Sequence, residues 1–227
     1  MTAREEILAK IKSALGNSDA APLPALAALS PQQVMLDCEA QRDALVQRFE
    51  AMLTRAGGYF STAASPQAVC DRVAEIAAGT RAKKAVGWHS QSLEQPGVAA
   101  RLAEMNIEFA AGGAGADKAA FIRQAAEATL GITPVDYALS DSGTLCLLAG
   151  ENRPRTASLL PPVHIAILRP EQILRGLDDL FALLPAGGDL SSAVTLITGP
   201  SRTADIELTL VVGVHGPQQL HVVLANY

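Results

Sequence analysis

Apolar residues first recur along the chain with a helical period. Ile7, Leu8, Ile11 and Leu15 mark one face of a short helix. Thr2 with Glu5 three residues on has the spacing of a capping box, and Gly16-Asn17 ends the segment. So short a helix is unstable alone, and its stripe is expected to dock on other protein surface. Residues 17–30 are small, apolar and proline-containing, with Pro22 and Pro24, and read as a linker arm. Ser30-Pro31 then sets an N-cap before a proline at the first helical position. Val34, Cys38, Leu45, Phe49 and Met52 keep the helical period up to Gly57-Gly58. This spacing predicts one long amphipathic helix with Glu39, Arg42, Asp43 and Arg48 on its other side, either covering a core or reaching a partner.

From Tyr59 short apolar runs alternate with helical segments. Tyr59-Phe60 precedes a helix opened by Ser65-Pro66, with Val69, Val73 and Ile76 on its stripe, and Lys84 to Gly87 is the next strand. A helix from about Pro96 to Met105 leads to Ile107-Glu108-Phe109, and another from Asp117 to Leu130 leads to a strand at Val135 to Leu139. Repeated strand–helix–strand units imply parallel pairing, hence an α/β fold: an open, mostly parallel sheet with helices on both faces and an N-terminal helical arm. The second half is richer in strands, at Thr144 to Leu148, Val163 to Leu168, Val194 to Thr198 and Leu220 to Leu224. One helix intervenes, opened by Pro170 and carrying Ile173, Leu174, Leu177, Leu180 and Phe181; residues 205–214 fit helix or strand equally. The expected organisation is an arm over 1–30 and a single α/β domain over 31–227.

Composition adds exclusions. Of 227 residues, 49% are hydrophobic and 18% charged, enough apolar material for a core that needs no disulfide or metal. With 18 Lys+Arg against 23 Asp+Glu and no basic cluster, neither nucleic acid nor an anionic membrane is an expected partner. Cys38, Cys70 and Cys146 lie far apart, without metal-ligand spacing, and read as small buried hydrophobes of a protein from the reducing cytosol. The acidic N-terminus does not read as a secretory leader, and no run reaches the roughly 18 apolar residues of a membrane span, so a cytoplasmic location is expected.

Familiar signatures of chemistry are absent: there is no P-loop and no dinucleotide fingerprint, and Gly112-Gly113-Ala114-Gly115 lacks the spacing of a phosphate cradle. His89, His164, His215 and His221 are too scattered for a metal assignment, although adjacent strands would be able to unite His164 with His221. His89 follows strand 84–87, at the end where open α/β sheets bind ligands. Three segments carry more information. In Ser140-Asp141-Ser142-Gly143-Thr144 the acid is either ordinary hairpin chemistry or a base or nucleophile on a tight turn. Arg153 and Arg155, ahead of Pro161-Pro162-Val163-His164, are either solvated or able to hold an anion. Gly199-Pro200-Ser201-Arg202-Thr203-Ala204-Asp205-Ile206-Glu207 follows a strand, and its small and hydroxyl residues suit the start of a short helix with N–H groups open to an anion.

Taken together, Gly131-Ile132-Thr133, Asp136-Tyr137-Ala138, Gly143-Thr144, Leu159-Leu160-Pro161, His164-Ile165, the run Gly199 to Glu207, Gly213 to Pro217 and Leu220-His221-Val222 resemble the lactate utilization protein C family, the stand-alone LUD-domain proteins. The resemblance covers nearly the whole chain and implies the fold of the sugar-phosphate isomerase and CoA-transferase superfamily. It also implies a part in bacterial oxidation of L-lactate to pyruvate beside two iron–sulfur partner proteins, with no cluster or other cofactor in this chain. One departure is that the family commonly has Ala-Glu-Thr-Gly-Thr where this chain has Ser140 to Thr144, which shortens the acid by one methylene and argues against a covalent role like that of the CoA-transferase glutamate. Two readings follow. In the first the chain is an accessory subunit whose site binds a small anion through Arg153, Arg155, Ser201, Arg202 and Thr203, with Asp141 orienting a neighbouring proton and Ser140, Ser142, Gly143, Thr144, His164, Gly199, Asp205 and Glu207 around it; self-association is compatible with it. In the second it is a free-standing enzyme of isomerase, CoA-transferase or cyclo-ligase type using Asp141.

Overall fold

The computed structural model describes residues 4–7, 10, 30–88, 93, 97–113, 117–150, 152–184, 191–204, 210–212 and 215–227. Arg4 to Ile7 are helical, and the rest of the expected first helix and the linker arm lie outside the described residues. Ser30 caps the next helix by accepting from the Gln33 N–H at 3.2 Å. The expected single long helix is two, α1 (Pro31–Ala40) and α2 (Arg42–Arg55), broken at Gln41 with φ −116° and ψ 12°. Neither glycine nor proline causes the break; the two stripes bury against different elements, Val34 and Cys38 beside the C-terminal helix α7 (Leu177–Leu183), Phe49 and Leu53 towards the sheet.

Six strands form the central sheet: β1 (Tyr59–Ala63), β2 (Lys84–Trp88), β3 (Glu108–Gly112), β4 (Leu130–Pro134), β7 (Val163–Leu168) and β12 (Gln219–Ala225), in the order β1-β12-β7-β4-β2-β3. Every pairing in it is parallel. Helices α3 (Pro66–Gly79) and α4 (Val98–Glu104) cover one face, where Val69, Val73 and Leu102 meet Leu130, Ile132, Ile165 and Val223. The other face carries α2, α5 (Lys118–Glu127) and the short α6 (Thr156–Leu159), and also a second sheet of β5 (Tyr137–Leu139), β6 (Thr144–Ala149), β8 (Ile173–Leu174) and β9 (Ala193–Ile197), in the order β8-β5-β6-β9. Here Phe49, Leu53, Leu139, Leu145, Leu168 and Val222 form one cluster. The α/β class, the parallel sheet and the helices on both faces agree with the sequence reading.

Two other expectations are corrected. Leu130 to Pro134, read as helix end and loop, is the buried strand β4: Gly131 belongs there because a Cβ would lie 1.8 Å from the Ala157 carbonyl oxygen. The helix opened by Pro170 is instead a turn at Pro170–Gln172, the strand β8 paired with β5, and only then α7. All three cysteines are free and buried.

Candidate functional site

The Ser140 to Gly143 connection closes the β5–β6 hairpin, in which Leu139 faces Thr144. Gly143 donates its N–H to the Leu139 carbonyl at 3.0 Å and has φ +67°. A Cβ there would lie 2.3 Å from the Leu53 nitrogen, so glycine is required by conformation and by space alike. Ser140 is buried and donates its N–H to the Leu174 carbonyl and its hydroxyl to the Arg175 carbonyl. Asp141 is exposed at the tip, its N–H donated to the same Arg175 carbonyl at 3.2 Å. Four side chains then line up: Ser142 Oγ donates to Asp141 Oδ1 at 2.9 Å, Thr144 Oγ1 donates to Ser142 Oγ at 2.9 Å, and Thr144 Oγ1 lies 2.7 Å from Thr198 Oγ1.

Thr198 therefore joins the hairpin to the segment that follows β9. Gly199, with φ +73°, lies where a Cβ would come within 2.6 Å of the Ala56 carbonyl oxygen, and Ser201 donates its N–H to the Pro217 carbonyl at 2.8 Å. The described residues of the expected helix start are strand instead: β10 (Arg202–Ala204) pairs antiparallel with β11 (Leu210–Val212), and residues 205–209 lie outside the described residues. Residues 202–204 are thus in a β-ladder and present no fan of free helical N–H groups. Thr203 lies in β10, and Asp205 and Glu207 fall outside the described residues. Arg202 is exposed, and its guanidinium sits over Gly57, just past the last turn of α2, where a cation complements the helix dipole. A cleft of about 520 Å³ opens here, lined by Thr198, Ser201, Arg202 and His215 with Leu159 and Leu196. Among its described lining residues there is no acid. Asp141 faces a different cleft of about 520 Å³, with Arg48, Arg175, Gly176 and Asp178. Gly176 makes room for it: a Cβ would lie 2.5 Å from Asp141 Oδ2.

Arg153 is elsewhere. Its guanidinium pairs with Asp136 and lies 5.8 Å from the centre of the Trp88 ring, while Trp88 Nε1 donates to the Pro154 carbonyl at 3.1 Å. Trp88 closes β2 and Asp136 follows β4, so this pair occupies the carboxyl end of the parallel sheet. Gly57 and Pro217 precede β1 and β12, which puts the Arg202 cleft at the amino end. Strands of five residues separate the two ends by roughly 15 Å. One small anion therefore does not reach both arginines. Arg155 is exposed at the start of α6 without a side-chain capping bond. His164 is fully buried in β7 with Nε2 2.9 Å from Thr133 Oγ1, and burial pushes its pKa down to about 3. It does not meet His221: Leu220 is the register partner of His164, so the two imidazoles leave opposite faces of the sheet. His221 stacks on Tyr59 with ring centroids 4.6 Å apart. Among the described residues no group of three or more His, Cys, Asp and Glu is placed to hold a metal ion. His89 lies outside them.

The family model of the LUD domain matches residues 46–225, which include the hairpin, both clefts and every described site residue. The chain belongs to the LUD domain family. Lactate utilization protein C of Halalkalibacterium halodurans is 36% identical over 143 residues, covering 60% of each chain. An uncharacterized protein of Escherichia coli K12, YkgG, is 40% identical over 130 residues, 55% of each. The matches thus span well under two thirds of these relatives. A crystal structure of a DUF162 family protein from Deinococcus radiodurans has a TM-score of 0.52 at 19% identity, over 81% of this chain and 98% of that one, and shares the fold. No described helix of this LUD domain is long and apolar enough to cross a membrane.

Sequence reasoning missed one residue of this LUD domain that organises the hairpin. Arg175 donates from Nε and Nη2 to Asp179 at 2.8 and 2.6 Å, and from Nη1 to Asp37 of α1 at 3.0 Å. Its carbonyl meanwhile accepts from Ser140 and Asp141. Burial alone would raise the Asp179 carboxyl, but the Arg175 hydrogen bonds hold it below the ordinary range. The Cys38 thiol, 3.6 Å from the same carboxylate, is raised by burial first and by that charge second. The i, i+4 spacing of Arg175 and Asp179 was a visible signal, but Asp37 stands 138 residues away and no pattern links it.

Proposed function

We propose that this LUD-domain protein serves in lactate utilization, in the oxidation of L-lactate to pyruvate. In this reading it is a cluster-free accessory subunit working beside iron–sulfur partner proteins, and its Thr198–Arg202 cleft receives a small carboxylate. The relatives that bear the lactate utilization name support the pathway. For the site, one observation carries the reading: the cleft is lined by an arginine, a histidine and three hydroxyl residues with apolar walls and no described acid, the lining that suits a carboxylate with a short apolar body. Arg153 does not enter it, because it lies at the opposite end of the parallel sheet, paired with Asp136 and over Trp88.

Reconstitution tests this. L-lactate-dependent dye reduction is measured with the cluster-bearing partners, with and without this chain, and with the chain alone. The expected result is no turnover by the chain alone, activity in the assembled complex, and reduced activity with Arg202→Ala. Full activity of the partners without this chain contradicts the reading. A second reading, a free-standing enzyme using Asp141, draws on the exposure of that carboxylate in its own cleft beside Arg48. It requires turnover by the isolated chain that Asp141→Asn abolishes without lowering the melting temperature.

A further inference from the structure

The four-membered chain from Asp141 to Thr198 spans the two clefts, since Asp141 lines one and Thr198 the other. Its direction follows from counting protons. A carboxylate only accepts, so the single proton of Ser142 Oγ is used on Asp141. With that proton spent, Ser142 accepts from Thr144, as the geometry has it. The Thr144 proton is then spent as well, and of the two hydroxyls at 2.7 Å, Thr198 must be the donor. Thr198 Oγ1 is left with no proton for the cleft and presents only lone pairs there. A carboxylate oxygen or a ketone oxygen is repelled at that point, whereas a hydroxyl is accepted. Arg202 and His215, lining the same cleft, supply what the carboxylate needs.

We infer that the Thr198–Arg202 cleft is selective for hydroxycarboxylates over the corresponding oxocarboxylates, the ligand hydroxyl donating to Thr198 and its carboxylate lying on Arg202. This rests on the reading of that cleft as the carboxylate site. Asp141 acts as a positioning residue in it, because its acceptor-only oxygen fixes the direction of every hydroxyl between the clefts. An asparagine at 141 offers an N–H₂ that donates to Ser142, and with the chain reversed Thr198 turns its proton into the cleft.

The experiment is a calorimetric or NMR titration of the full-length protein with L-lactate and 2-hydroxybutyrate against pyruvate and 2-oxobutyrate, ketones that stay mostly unhydrated in water. One neutral hydrogen bond sets the scale, so each hydroxy acid is expected to bind about fivefold more tightly than its oxo partner. Thr198→Val removes that preference, Thr198→Ser keeps it, and Asp141→Asn lessens or inverts it. Equal affinities in the native protein, or a preference that survives Thr198→Val, overturn the inference. If binding is then still lost in Arg202→Ala, the carboxylate reading of the cleft stands without it. No binding of either acid class at tens of millimolar overturns both.

Discussion

Glycines and a histidine carry the sharpest consequences at the scale of single residues. Gly143 combines φ +67° with a backbone neighbour that cannot move, the Leu53 nitrogen of α2. Gly143→Ala is expected to cost about 2 kcal/mol or more and to loosen the Asp141 turn, read as a lower urea midpoint. His164 is held neutral by burial, with its pKa near 3 in the folded protein against 6.5 in an unfolded chain. Between those values the unfolded state binds more protons, so stability falls as pH drops below about 6.5 and keeps falling towards pH 3, by up to about 1.4 kcal/mol per pH unit. Equilibrium unfolding at pH 7, 5.5 and 4 should show this slope in the native chain and a shallower one in His164→Gln. Equal slopes would mean that His164 takes up its proton without unfolding.

Between elements, the Arg175 fork ties α1 to the turn before α7 and, through its carbonyl, to the hairpin. The two carboxylates it serves differ in environment: the Asp179 side chain is 3% exposed and that of Asp37 31%. Removing the guanidinium strands a buried charge in the first case and frees a solvated one in the second. Arg175→Ala is therefore expected to cost about 3 kcal/mol, and Asp37→Ala less than about 1 kcal/mol, in paired thermal or urea unfolding. Similar costs for both would place the value of the fork on α1. Local chemistry explains which elements were legible. Ser30-Pro31 and Ser65-Pro66 announce their helices because caps act within one turn. Leu130–Pro134 hides its strand because Gly131 and Pro134 are locally poor strand residues, and only the approach of the Ala157 carbonyl makes that glycine necessary. The break at Gln41 and the strand at Ile173–Leu174 depend on partners far along the chain.

Over the whole molecule, alternating strands and helices were sufficient for the α/β class and the parallel central sheet. The second sheet was visible only as a richness in strands, since its order, β8-β5-β6-β9, is set by long-range pairing. The candidate site divides in the same way. Its three segments were readable as chemistry, but their sharing of one site was not: the hairpin and the Thr198–Arg202 segment meet through Thr144 and Thr198, while Arg153 lies at the opposite end of the sheet beside Trp88. The central claim is that the amino-end cleft holds the ligand. Titration of L-lactate into the full-length protein and into Arg202→Ala tests it most directly. Saturable binding that the variant loses, while its melting temperature stays within a few degrees of the native value, is the predicted result. Binding that Arg202→Ala leaves unchanged would contradict the account.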